Sequence, residues 1–143
     1  MTRYHDAAIL ALRLFIAFTF LSAVADRFGL WGAPGEPGVA WGTWENFVTY
    51  TTQANSFFPE SFGGFLAATA TALEVILGVM LIAGFKTRMA AVGSAFLLTA
   101  FALAMAVSFG FKSPFDYSVW VDAGAAFLLA TVARYRWSVD DRS

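Results

Sequence analysis

Arg13, Glu74 and Asp122 are charged side chains set inside long apolar runs. A charge at the centre of a bilayer costs roughly 2.5–3.5 kcal/mol on insertion scales, so such groups turn inward and pair. A carboxyl group against apolar walls has an easily shifted proton affinity. It can carry a proton or hydrogen-bond a polar head such as a quinone carbonyl. A guanidinium and a carboxylate that meet in the same place can also do nothing more than fix helix register. The residues themselves leave both uses open.

The rest of the composition narrows the chemistry. The 143 residues are 59% hydrophobic, 17% aromatic and 13% charged, against roughly 25% charged in a soluble domain. Mean hydropathy is +0.65. Lipid is the solvent these numbers fit. There is no cysteine, which excludes disulfides, thiol redox chemistry and iron–sulfur ligation in this chain. The single histidine, His5, lies near the N-terminus, so no metal site is expected. A net charge of −1 gives no sign of a nucleic-acid partner.

Four apolar runs must position the three charges. They predict an all-α fold, a four-helix transmembrane bundle forming a single domain over 1–143, with helices at about 7–30, 62–85, 89–109 and 117–135. A helix needs about 20 residues to cross the hydrocarbon, and no run alternates with period two, as a barrel strand would. Ala23-Val24-Ala25 has the small-x-small form of a signal-peptide cleavage site. The apolar run continues past it, so the first helix is expected to be retained. Arg3, Lys86, Arg88, Arg134, Arg136 and Arg142 fall on one side of the helices, and Arg27 and Lys112 on the other. This bias places both termini in the cytoplasm. With about 1.5 Å rise per residue, and Phe28, Phe62 and Asp116 taken as outer ends, Arg13 lies about 22 Å deep, Glu74 about 18 Å and Asp122 about 9 Å. An Arg13–Glu74 ion pair between the first two helices is the expectation.

The outer loop, 32–61, opens with turn formers and continues with Trp41, Trp44, Phe47, Val48, Thr51 and Phe58 near helical spacing. It predicts a short amphipathic helix at the outer interface. Trp31, Trp41, Trp44, Phe47 and Tyr50 are its expected interface anchors. Pro114 and Asp116 suit a helix start before the fourth span. Arg27, Lys112, Asp116 and Tyr117 are the expected rim of any pocket that contains Asp122.

These segments resemble a known family. The first helix reads Leu12-Arg13-Leu14-Phe15-Ile16-Ala17, then Phe20-Leu21-Ser22-Ala23 and Arg27. The second runs from Leu73-Glu74-Val75 to Gly84-Phe85, followed by Lys86-Thr87-Arg88, and the loop before the fourth helix reads Lys112-Ser113-Pro114-Phe115-Asp116-Tyr117-Ser118. In this order they resemble the DoxX family of small bacterial four-helix membrane proteins. Ala17, where a glycine is expected, and the long aromatic loop are departures. The resemblance implies a multi-pass protein of the inner (plasma) membrane. For some relatives it also implies association with quinone-linked oxidoreductases or redox-defence partners. It implies no proven reaction.

Three functions follow as expectations. One is a non-catalytic membrane subunit or anchor of a redox system, binding quinone or lipid and a redox partner protein. The second is a chaperone or scaffold, with a filled core and an exposed small-residue stripe of Ala91, Ala95 and Ala102. The third is a small proton-coupled transporter, working as a homo-oligomer with a water-filled passage.

Overall fold

The computed structural model describes residues 2–142, and among them it is all-helical. The elements are α1 (Arg3–Arg27), α2 (Trp44–Ala54), α3 (Gly63–Ala83), α4 (Thr87–Phe109), α5 (Ser113–Asp116) and α6 (Val119–Ala130), with 3-10 turns at Glu60–Phe62 and Asp140–Arg142. Three helices are long and apolar enough to cross a membrane: α1, α3 with its preceding turn, and α4. The segment expected as a fourth span, 117–135, is helical only over Val119–Ala130. At about 1.5 Å per residue α6 is roughly 18 Å long, short of the hydrocarbon thickness.

Local chemistry sets the ends. The Thr2 hydroxyl accepts from the His5 N–H at 3.3 Å and opens α1, and Thr43 does the same for α2 at 3.2 Å from Asn46. α3 stops at Gly84, which has φ +68 and releases the chain into a tight turn, as a helix-ending glycine does. Within the apolar helices, hydroxyls are satisfied locally: Ser94 and Thr99 donate to carbonyls one turn back at 2.7 Å. This is how a lipid-embedded helix carries such residues.

α4 packs most extensively on α6, and α1 on α3. Between α4 and α6 the contact is built from small residues. Ala90, Ala91, Ala95, Ala102 and Ala126 are fully buried. The stripe of Ala91, Ala95 and Ala102 expected on an exposed face is therefore spent inside the chain. The outward faces carry the large apolar groups, among them Phe15, Phe65, Phe96 and Val107, which suits lipid contact.

α2 is part of the packed bundle. It packs on α3, α4 and α1 and buries Phe47, Thr51 and Ala54. Gly63 makes the approach possible, because a Cβ there would sit 1.9 Å from the Thr52 hydroxyl oxygen. α2 therefore fills the space above the end of α1, which stops at Arg27 while α3 continues beyond it.

At the opposite end the chain folds back as a strap. Val139 N–H donates to Ala83 O at 3.1 Å and Asp140 N–H to Gly84 O at 2.9 Å. Arg88 reaches Val132 O at 3.0 Å, and Arg136 pairs with Asp6 at 3.2 Å. The Asp140 carboxylate accepts from Lys86 N–H at 2.8 Å and Thr87 N–H at 2.7 Å, and so caps α4. Burial works against the Asp140 charge. The Thr87 side chain, these two N–H groups and the nearby Arg13 guanidinium nonetheless hold its carboxyl below the usual carboxylate range. A depressed folded-state value adds stability above the unfolded carboxylate range and loses it as pH falls through the folded value. Wild-type protein should thus lose stability below about pH 4. Asp140→Asn should lose about 0.5–2 kcal/mol at pH 7, as for a helix cap, and show a flatter acid limb. Thermal unfolding in detergent from pH 3 to 7 reads both.

Candidate functional site

Asp26 and Arg27 close α1, and each organises a different partner. The Asp26 carboxylate accepts from the N–H groups of Ala40, Trp41 and Gly42 at 2.9, 2.8 and 3.0 Å. These three bonds pull the loop back across the top of α1 and set α2 in place. Arg27 then lies beneath α2. Its Nη1 forms an ion pair with Glu74 Oε2 and donates to Thr71 Oγ1 at 2.7 Å. Its guanidinium carbon sits 3.7 Å from the Phe47 ring centroid and 5.4 Å from that of Trp41. Arg27 is 2% exposed and Glu74 3%. Ion pair, hydroxyl and aromatic faces together compensate a guanidinium held away from water.

The expected Arg13–Glu74 pair is thus corrected to Arg27–Glu74. The depth count failed because Phe28 does not lie at the outer surface. α1 ends well below the start of α3, and α2 occupies the missing height. Arg13, 1% exposed, turns its two terminal nitrogens elsewhere. It donates to the carbonyls of Trp137 at 2.8 Å and Arg136 at 3.5 Å, both in the strap.

The expected rim does not assemble. Lys112 and Asp116 pair with each other at 2.7 Å on the exposed surface, Tyr117 is 73% exposed, and Arg27 is committed to Glu74. Asp122 lines a separate cavity. Of the expected anchors, Trp31 is exposed and donates its indole N–H to Ser22 O at 3.0 Å. Phe47 is 4% exposed and is a wall over Arg27 instead. Trp41 and Tyr50 pack on Phe47, and Tyr50 also on Phe109. Burial pushes the Tyr50 phenol up; Tyr117 adds to the rise and Arg27 opposes it. Asp26 and Thr71 were not anticipated as site residues. For Asp26 the available signal was a carboxylate beside a glycine-rich turn.

An open groove of about 630 Å³ runs along α3 beside the pair, lined by Phe28, Trp44, Ala68, Thr71, Ala72, Val75 and Ile76. Phe28 and Trp44 stack at 5.6 Å to form one wall. Thr71 belongs both to the groove and to the Arg27 cluster, so it is the point where an apolar surface meets the buried charges. The DoxX family profile matches residues 8–109, which contain both.

The chain belongs to the DoxX family.

It is a membrane protein with several apolar helices. Neither a curated protein nor a solved structure matches it. In this DoxX protein the family match covers α1 to α4 and stops before α5, α6 and the strap. The Arg27–Glu74 cluster therefore lies wholly in the matched part. Arg13 lies there too, but the strap that it bonds does not.

Proposed function

We propose that this DoxX protein is a non-catalytic membrane subunit that holds a quinone-like or lipid-like molecule beside Arg27 and Glu74 and anchors a redox partner. The observation that carries this reading is the junction at Thr71. A groove of about 630 Å³ is within the roughly 300–1,000 Å³ usual for small-molecule sites, and its one polar contact leads to a guanidinium. Phe28 and Trp44 offer a flat aromatic wall, and Ala68 and Ala72 leave room on α3. A carbonyl oxygen in the groove would compete with the Thr71 hydroxyl for the Arg27 donor. Glu74 would keep Arg27 charged and oriented. A bound quinone would supply two-electron redox chemistry that the chain, without cysteine, does not provide from thiols.

In this reading α6 and the α5 turn complete a fourth, shortened crossing. The strap end carries Arg3, Lys86, Arg88, Arg134 and Arg136 and faces the cytoplasm, by the excess of basic residues. The loop end carries Glu36, Glu45 and Glu60.

Trp44 gives a direct test, because a quinone against its ring quenches indole fluorescence. A short-chain quinone added to protein in nanodiscs should quench saturably. Ala72→Phe, which fills the groove, and Arg27→Met should each weaken the response at least about tenfold, the equivalent of 1.4 kcal/mol. Quenching that grows linearly with lipid partitioning, unchanged in Ala72→Phe, would dismiss the site.

A further inference from the structure

Arg27 has Glu74, and Arg13 has the strap carbonyls. Asp122 is the remaining charge within the apolar helices. Among the described residues no ion pair and no side-chain hydrogen bond reaches its carboxyl group; its backbone N–H donates to Ser118 O at 3.0 Å. The carboxyl lines a cavity of about 80 Å³ with Leu12, Phe15, Ile16, Thr19, Phe20, Leu98 and Ala125. α1 and α4 contribute no titratable group to this cavity. The Thr19 hydroxyl is already used on Phe15 O at 2.8 Å.

The height of this carboxyl differs from the sequence expectation of about 9 Å below the outer face, at about 1.5 Å per residue. Leu98 is the middle residue of α4 (Thr87–Phe109) and lines the same cavity as Asp122, and Arg88 near the start of α4 reaches Val132 just past α6 with its side chain. Leu98 lies about 15 Å along α4 from Arg88, and Asp122 about 15 Å along α6 from Val132, at about 1.5 Å per residue. Both therefore sit near half the hydrocarbon thickness of about 30 Å. Asp122 comes so deep because α5 packs down along α4, and α6 starts below the top of the bundle. Phe15 and Thr19 are exposed, so the cavity opens sideways between α1 and α6. At roughly 30 Å³ per water it has room for a few waters.

We propose that Asp122 is a proton-binding site: a lone carboxyl group near mid-membrane that takes up and releases a proton and is reachable from the lipid side at the cavity between α1 and α6. Without a counter-ion the neutral acid is the form that apolar surroundings favour. The site is independent of the Arg27–Glu74 groove.

A hydrophobic carbodiimide tests this, because it reaches carboxyl groups from lipid and reacts with the protonated form. The acid adds across one C=N bond, its proton going to nitrogen and its oxygen to the central carbon. The acyl group then migrates to nitrogen to give a stable N-acylurea, with no oxidant or leaving group. Full-length protein in nanodiscs treated with dicyclohexylcarbodiimide should carry one adduct, located by peptide mass spectrometry on Asp122. Its rate should fall about tenfold per pH unit once the acid ionises. Asp122→Asn should abolish it. Ala125→Phe, which keeps the acid and fills the cavity, should slow it at least tenfold and covers the case in which Asp122→Asn does not fold. No adduct on Asp122, an equal adduct on Glu74, or a rate constant from pH 5 to 9 would overturn the proposal.

Discussion

Glu74→Leu made alone will destabilise the protein by about 3–5 kcal/mol, and adding Arg27→Met will restore most of that loss. The single change leaves the Arg27 guanidinium buried between Thr71, Phe47 and Trp41 with no negative partner. Removing both charges removes the desolvation cost along with the attraction. Glu74→Gln keeps an acceptor near Arg27 and should cost less than Glu74→Leu. Unfolding in mixed micelles, followed by circular dichroism for the two single variants and the pair, measures the coupling directly. Additive losses would mean that the two side chains do not depend on each other, contrary to the geometry. The same variants divide structure from ligand binding. A folded Arg27→Met/Glu74→Leu protein without saturable quinone quenching would assign the pair to the groove's chemistry. Retained quenching would leave it as a register pin.

Arg13→Met will release the strap. Its forked guanidinium reaches two consecutive carbonyls, and hydrogen bonds to a charged group are each worth roughly 1.5–3 kcal/mol. The 3.5 Å contact to Arg136 O is the weaker of the two. We expect a loss of about 2–4 kcal/mol in total from these bonds. Arg13→Lys should recover only part of it, since an ammonium lacks the planar fork. Trypsin supplies a local readout that overall stability does not, because Arg134 and Arg136 lie in the strap. Cleavage there should accelerate in Arg13→Met while sites in the membrane-spanning helices stay protected. Unchanged strap cleavage would show that the contacts from Asp140 and Arg88 hold the segment without Arg13.

The helices were legible in the sequence where burial is written as hydropathy. The runs that became α1, α3 and α4 are long, and the turn at Gly84 carries its own signal in a glycine beside basic residues. The short helix in the loop followed from the spacing of Trp44, Phe47 and Thr51. The pairing of charges was not legible, since it depends on vertical offsets between helices. A shift of a few turns exchanges Arg13 for Arg27 as the partner of Glu74, and nothing in hydropathy fixes that shift. It goes with the α1–α3 packing and with three loop N–H groups that close the loop onto Asp26 at that height. The strap was hidden for a related reason. Residues 131–142 carry no hydrophobic period, and their order comes from side chains and backbone groups far away in the sequence. The fourth helix is shorter than its apolar run at both ends: Ser118 takes a left-handed conformation with φ +57, so α6 starts at Val119, and it stops at Ala130, where the chain leaves for the strap although the run continues to Tyr135.

The strap also bears on how the protein is made. Arg13 precedes its acceptor on Arg136 by 123 residues, so α1 enters the bilayer long before those carbonyls exist. During synthesis that guanidinium must be served by water, a lipid phosphate or the insertion machinery. Its permanent partners arrive only when the ribosome has made the segment after α6. A nascent chain stalled before that point would hold an uncompensated cation in its first helix, a defect that membrane quality control could recognise.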